Sequence, residues 1–125
     1  MENHRILVIE DNELNMKLVV ALLKIADYET MQAPDAETGI ALARLHRPAL
    51  ILMDVQLPGM DGLAATRIIK SDEVLKQTPV VALTSYAMQG DEERAREAGC
   101  DGYISKPLDA RLFLSQIGEF LGAGA

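Results

Sequence analysis

The sequence has a single cysteine, Cys100, so no internal disulfide can form and nothing marks the chain for an oxidising compartment. Positive charge is scarce. Twelve Lys and Arg face nineteen Asp and Glu, a formal charge of −7. That balance argues against direct nucleic-acid binding and against an anionic membrane surface, both of which need a basic footprint. Long apolar runs are missing, and the opening MENHRILV lacks a secretory pattern, so a cytoplasmic protein with no membrane association is expected. Repeats, low-complexity tracts and linker-like shifts of composition are also absent, which predicts one domain over residues 1–125. A start at Met1 and a loose GAGA tail suit a complete protein. His4 and His46 stand apart, and neither a zinc-ligand spacing nor a catalytic triad is found.

What is present is 49% hydrophobic residues, enough for a core, in an ordered alternation. Five short apolar runs, RILVIE (5–10), ETMQA (29–33), LILMD (50–54), VVALT (80–84) and GYISK (102–106), are separated by helical patterns. ILVI and LILM are apolar without alternation, as strands covered on both faces require. Leu14, Leu18, Leu22 and Ile25 recur at helical spacing and predict the buried face of a first helix. Asp35, Asp61 and Asp109 can cap helices, the second of them running through Lys70, and Gly99 can close the helix over 91–98. The last helix should bury Phe113, Ile117, Phe120 and Leu121. Strict alternation of strand and helix predicts a flavodoxin-like (βα)5 domain, doubly wound, with five parallel strands in the order 2-1-3-4-5.

In such sheets ligands bind beyond the carboxyl ends of the strands, at the switch point between strands 1 and 3. Those ends carry Glu10 and Asp11, Asp54, Thr84 with Ser85, and Ser105-Lys106-Pro107. Three neighbouring carboxylates repel unless a cation lies among them, and hard oxygen donors suit Mg²⁺. A carboxylate beside Mg²⁺ can attack phosphorus and form an aspartyl phosphate, with Lys106 and Thr84 stabilising the phosphoryl oxygens. Each residue alone has a plainer reading: Asp11 as a helix cap, Thr84 as a strand residue, Lys106 as a surface cation. The joint occupancy of strand ends 1, 3, 4 and 5 favours chemistry.

On these residues the chain resembles the receiver domain of two-component response regulators, over residues 5 to about 121. The resemblance rests on VIEDN, LMDVQLPGMDG, ALTSYA and YISKP, with Asp54 and Thr84 30 apart and Thr84 and Lys106 22 apart. Within this CheY-like family, IEDNELNMKL, MQGDEER and GCDGYISKP look most like the DivK-type single-domain regulators. The resemblance implies that Asp54 accepts a phosphoryl group from a phosphohistidine on a histidine kinase or phosphotransfer protein. It implies an Mg²⁺ site (Mn²⁺ as the alternative) from Glu10, Asp11, Asp54 and the backbone carbonyl of Gln56. Lys106 would bind the phosphoryl group, ahead of a cis bond to Pro107. Thr84 and Tyr103 would form the switch, and helix 4, strand 5 and helix 5 the output surface. A phosphodonor bundle would dock over Asn15 and Met16. Output would come from another protein, and the domain would be a monomer, with dimerisation on phosphorylation left open.

Gln56 and Tyr86 offer no carboxylate to orient water, so slow self-hydrolysis is expected. The same Gln56 disfavours a related aspartyl-phosphate phosphatase, which would place a second acid there. EDNELN after strand 1 is acidic and lacks glycine, which disfavours a flavin phosphate. A receiver fold serving only as a scaffold is the remaining competitor.

Overall fold

A computed structural model describes residues 5–55, 57, 59–84, 91–105 and 108–123. Its elements alternate throughout: β1 (Arg5–Ile9), α1 (Glu13–Ile25), β2 (Glu29–Ala33), α2 (Ala36–His46), β3 (Leu50–Asp54), α3 (Gly62–Ser71), β4 (Val80–Thr84), α4 (Asp91–Ala98), β5 (Gly102–Ser105) and α5 (Ala110–Ala123). All strand pairings are parallel and the order is β2-β1-β3-β4-β5, as expected from the sequence. β2, β3 and β4 have the expected bounds, α3 runs one residue further, and β1 ends one residue early, at Ile9. β5 is described to Ser105, and Lys106 lies outside the described residues.

Successive strand residues feed opposite layers. Ile6, Val8, Leu50, Leu52, Val81, Leu83 and Ile104 pack with α1 and α5, whereas Leu7, Ile9, Ile51, Met53 and Val80 pack with α2 and α3. With helices on both faces, a central strand has no polar side, which is why ILVI and LILM carry no alternation. Burial of each such Leu, Ile or Val stabilises the fold by about 1.5–3 kcal/mol before the entropy of ordering is counted.

The caps are built locally. Asp35, Asp61 and Asp109 accept the backbone N–H groups of Thr38, Ala64 and Leu112 at 2.8, 2.8 and 3.0 Å. The bond from Thr38 holds the Asp35 carboxyl below its ordinary range. α4 closes on Gly99, whose φ of 108° suits a residue without Cβ. Gly99 N–H donates to Arg96 O and Cys100 N–H to Ala95 O, the paired bonds of a Schellman ending. Cys100 packs half-buried against the α2–α3 layer, and burial pushes its thiol up, away from the reactive thiolate.

The first helix corrects the sequence expectation. Its core residues are Met16, Val19, Val20, Leu22 and Leu23, while Leu14, Leu18 and Ile25 are 76%, 48% and 73% exposed. Only Leu22 of the four expected residues is inside. α1 carries apolar residues on two stripes, and the sheet selected the other one. None of the helices among the described residues is long and apolar enough to cross a membrane.

At the amino end of β4 a single ammonium ties three elements together. Lys70 Nζ, on α3, donates to Thr78 O at 2.8 Å and to Asp101 Oδ2 at 2.7 Å. The same Asp101 oxygen accepts the Val80 N–H at 2.9 Å, and Asp101 N–H returns to Val80 O at 2.7 Å. Replacing Lys70 with Met keeps the stem and removes the charge. With Asp101 partly in solvent, the expected loss is about 1–2 kcal/mol, read as a lower urea midpoint at unchanged m-value. No change in midpoint would mean that water replaces the ammonium at no cost.

Candidate functional site

Parallel register brings the acidic residues together. Ile9 pairs with Met53 and Asp54 with Leu83, so Glu10 and Asp54 follow one another across β1 and β3, with Thr84 one step beyond on β4. One carboxylate oxygen from each of Glu10, Asp11 and Asp54 lies within 4.8 Å of the others. Glu10 and Asp54 are almost entirely buried, at 2% and 5% exposed, and Asp11 stands open at the rim.

Local structure holds these groups in place. Glu10 N–H bonds to Ala33 O at 3.0 Å, which keeps the backbone in register past the end of β1. Glu10 Oε2 accepts the Asn12 N–H at 3.2 Å. Asn12, in turn, caps α1 through Asn15 N–H at 2.9 Å. Asp11 is therefore not the helix cap, and the plain structural reading of that acid is removed. Beyond Asp54, Val55 N–H donates to Leu83 O at 3.1 Å, so the peptide after the acid is still tied to β4.

This donor set fits a hard divalent cation. Two carboxylates taken out of water beside a third repel one another, and a cation among them offsets both the repulsion and the desolvation. Among the described residues, this is the group of three acids that could share such an ion. Sequence reasoning named all three, because each ends or follows an apolar run.

Other expected site residues are placed differently. Thr84 is buried at the end of β4. Tyr103 is half-buried on β5 and pairs with Ala82, two residues before Thr84, so the two side chains share one face of the sheet. Gln56, Ser85, Tyr86, Met88, Lys106 and Pro107 lie outside the described residues. Met16, expected at the docking edge, is instead in the core at 9% exposure. Gly62 was not singled out by sequence reasoning. It abuts the Asp54–Val55 backbone, a contact that no local pattern announces.

A five-stranded doubly wound sheet with three carboxylates at its switch point and a buried threonine on the next strand defines a flavodoxin-like α/β domain with an acidic site at its ligand-binding edge. The chain belongs to the response regulator receiver domain family, whose family model matches residues 6–117. It is 48% identical over 117 residues to the polar-differentiation response regulators DivK of Brucella anthropi and Brucella ovis, covering 94% of this chain and 95% of each relative. Among solved structures it resembles the receiver domain of the sensor histidine kinase PA1611 from Pseudomonas aeruginosa PAO1. That match has a TM-score of 0.89 at 33% identity and covers 97% of this chain and 99% of that one, which has a magnesium ion coordinated in its active site cleft. A CheY-like receiver domain protein from Methanospirillum hungatei matches with a TM-score of 0.90 at 27% identity, over 98% of this chain and 97% of that one. The DivK-type, CheY-like character expected from the sequence motifs stands.

Proposed function

We propose that the protein is a single-domain response regulator that takes a phosphoryl group from a phosphohistidine onto Asp54. The observation that carries this reading is the convergence of Glu10, Asp11 and Asp54 at the carboxyl edge of the sheet. An Asp54 carboxylate oxygen attacks phosphorus and forms the P–O bond as the P–N bond to the imidazole breaks. The imidazole nitrogen leaves with the electron pair and takes up a proton. Glu10, Asp11, Asp54 and the carbonyl of Gln56 would hold Mg²⁺, or Mn²⁺ in its place. When bound, the ion neutralises charge on the phosphoryl oxygens. Thr84 and Lys106 bind those oxygens by hydrogen bond and charge. The domain turns over no outside substrate, and its product is its own phosphorylated form.

The added charge biases Thr84 and Tyr103, which link the site to the face formed by α4, β5 and α5. Another protein reads that face. The phosphodonor docks on the open stripe of α1, where exposed Leu14 and Leu18 flank half-buried Asn15. The acidic balance suits a cytoplasmic monomer without nucleic-acid or membrane contacts.

The test is intact-mass analysis after incubation with acetyl phosphate and Mg²⁺. The expected result is one added phosphoryl group, absent from Asp54→Asn and from metal-free protein. No adduct from acetyl phosphate or from a phosphorylated histidine protein, with Mg²⁺ shown to bind, would replace the switch by a scaffold.

A further inference from the structure

Gly62 opens α3, and it does so against the backbone of Asp54. A Cβ placed on Gly62 would lie 2.7 Å from Val55 Cα and 3.1 Å from Asp54 C, and would collide with the Asp54 carbonyl oxygen. All three atoms are main chain, so no side chain can swing aside. Three bonds hold the junction. Gly62 N–H donates to Val55 O at 3.1 Å, Thr66 Oγ1 donates to Gly62 O at 2.8 Å, and Asp61 caps the same turn. Opposite, Val55 N–H is bound to β4 through Leu83 O. The peptide that carries Asp54 is thus clamped between α3 and β4, and the missing Cβ is what lets α3 come this close.

We infer that Gly62 is a positioning residue for the reaction at Asp54. It lets the first turn of α3 bear on the Asp54–Val55 peptide, and so sets where the Asp54 carboxylate stands relative to Glu10 and Asp11. The inference rests on Asp54 being the phosphoacceptor. Helix propensity sharpens it. Alanine is a better helix former than glycine, so Gly62→Ala would strengthen α3 if space were the same as elsewhere. Gly118, exposed on α5 with nothing within 4 Å of a built Cβ, supplies that comparison.

The experiment compares wild type, Gly62→Ala and Gly118→Ala by three readouts: thermal melting, Mg²⁺ titration by calorimetry, and the rate of labelling by acetyl phosphate. Amide spectra of the metal-free proteins are recorded alongside. Gly62→Ala is expected to bind Mg²⁺ roughly tenfold or more weakly and to label slower by at least as much. Its Asp54 and Val55 amide resonances should move, while Gly118→Ala keeps those resonances, the Mg²⁺ affinity and the labelling rate of wild type and melts at a higher temperature. Unmoved Asp54 and Val55 resonances, or Mg²⁺ affinity and labelling within about twofold of wild type, overturn the inference. If Gly62→Ala does not fold, Thr66→Val decides. It keeps the buried shape and removes the bond to Gly62 O, together with the weaker one that Thr66 Oγ1 accepts from Cys100 Sγ on the side away from Asp54, and the same Asp54 and Val55 resonances must shift or the inference fails. Wild type that neither binds Mg²⁺ nor labels would sink the proposed function instead, and the metal-free spectra would still judge the clamp.

Discussion

Phe113→Ala is expected to destabilise the protein by about 3–5 kcal/mol and to lower its melting temperature by roughly 10–20 °C. Phe113 is 1% exposed and is among the largest fully buried side chains. It lies on α5 within the layer that includes Val81, Leu83 and Ile104. Its removal forfeits the transfer free energy of a ring and leaves a cavity that the flanking sheet cannot close. β4 and β5 are hydrogen-bonded in register, and α5 is anchored at the Asp109 cap. Small domains are stable by about 5–15 kcal/mol, so this one change would consume a large share of the margin. Equilibrium denaturation in urea measures it directly. A loss under about 1 kcal/mol would mean that α5 collapses inward to fill the space.

Leu14→Asp with Leu18→Asp is expected to do the reverse, costing the fold only about 1 kcal/mol while impairing phosphotransfer. Leu14 faces solvent and Leu18 is about half covered, so what is lost is part of one side chain's burial and some helix propensity. If α1 receives the phosphodonor, however, two charges would be forced into an apolar contact. Transfer from a phosphorylated histidine protein should then slow by roughly tenfold or more, the effect of losing 1.4 kcal/mol or more of docking energy. Labelling by acetyl phosphate, which needs no docking, should be unchanged. Equal loss with both donors would place the defect in the Asp54 site, and no loss with either would leave the stripe without this role.

The pair of leucines also marks how much the sequence could tell. Every strand, the sheet order and the three acids of the candidate site were legible, because each signal is local and strong. A strand buried on both faces must be apolar at every position, and a parallel sheet must send its carboxyl ends to one edge. Charged residues placed just past such runs therefore declare themselves. The cap residues were legible for the same reason, except at α1, where Asn12 rather than Asp11 takes the role.

Which stripe of α1 is buried was not legible, since Leu14, Leu18, Leu22 and Ile25 form as good a helical face as Met16, Val19, Val20 and Leu23. Helical periodicity identifies faces but cannot rank two apolar ones. Only the position of the sheet beneath the helix does that. Gly62 is the second case. A glycine near a turn has many explanations, and its contact with the Asp54 backbone joins an element to one that precedes it in the chain. The sequence by itself thus determined the elements, their order and the edge where acids gather. Tertiary packing alone decided which apolar face stayed open on α1 and how closely α3 approaches Asp54. Both depend on distances between separate elements, which no local pattern encodes.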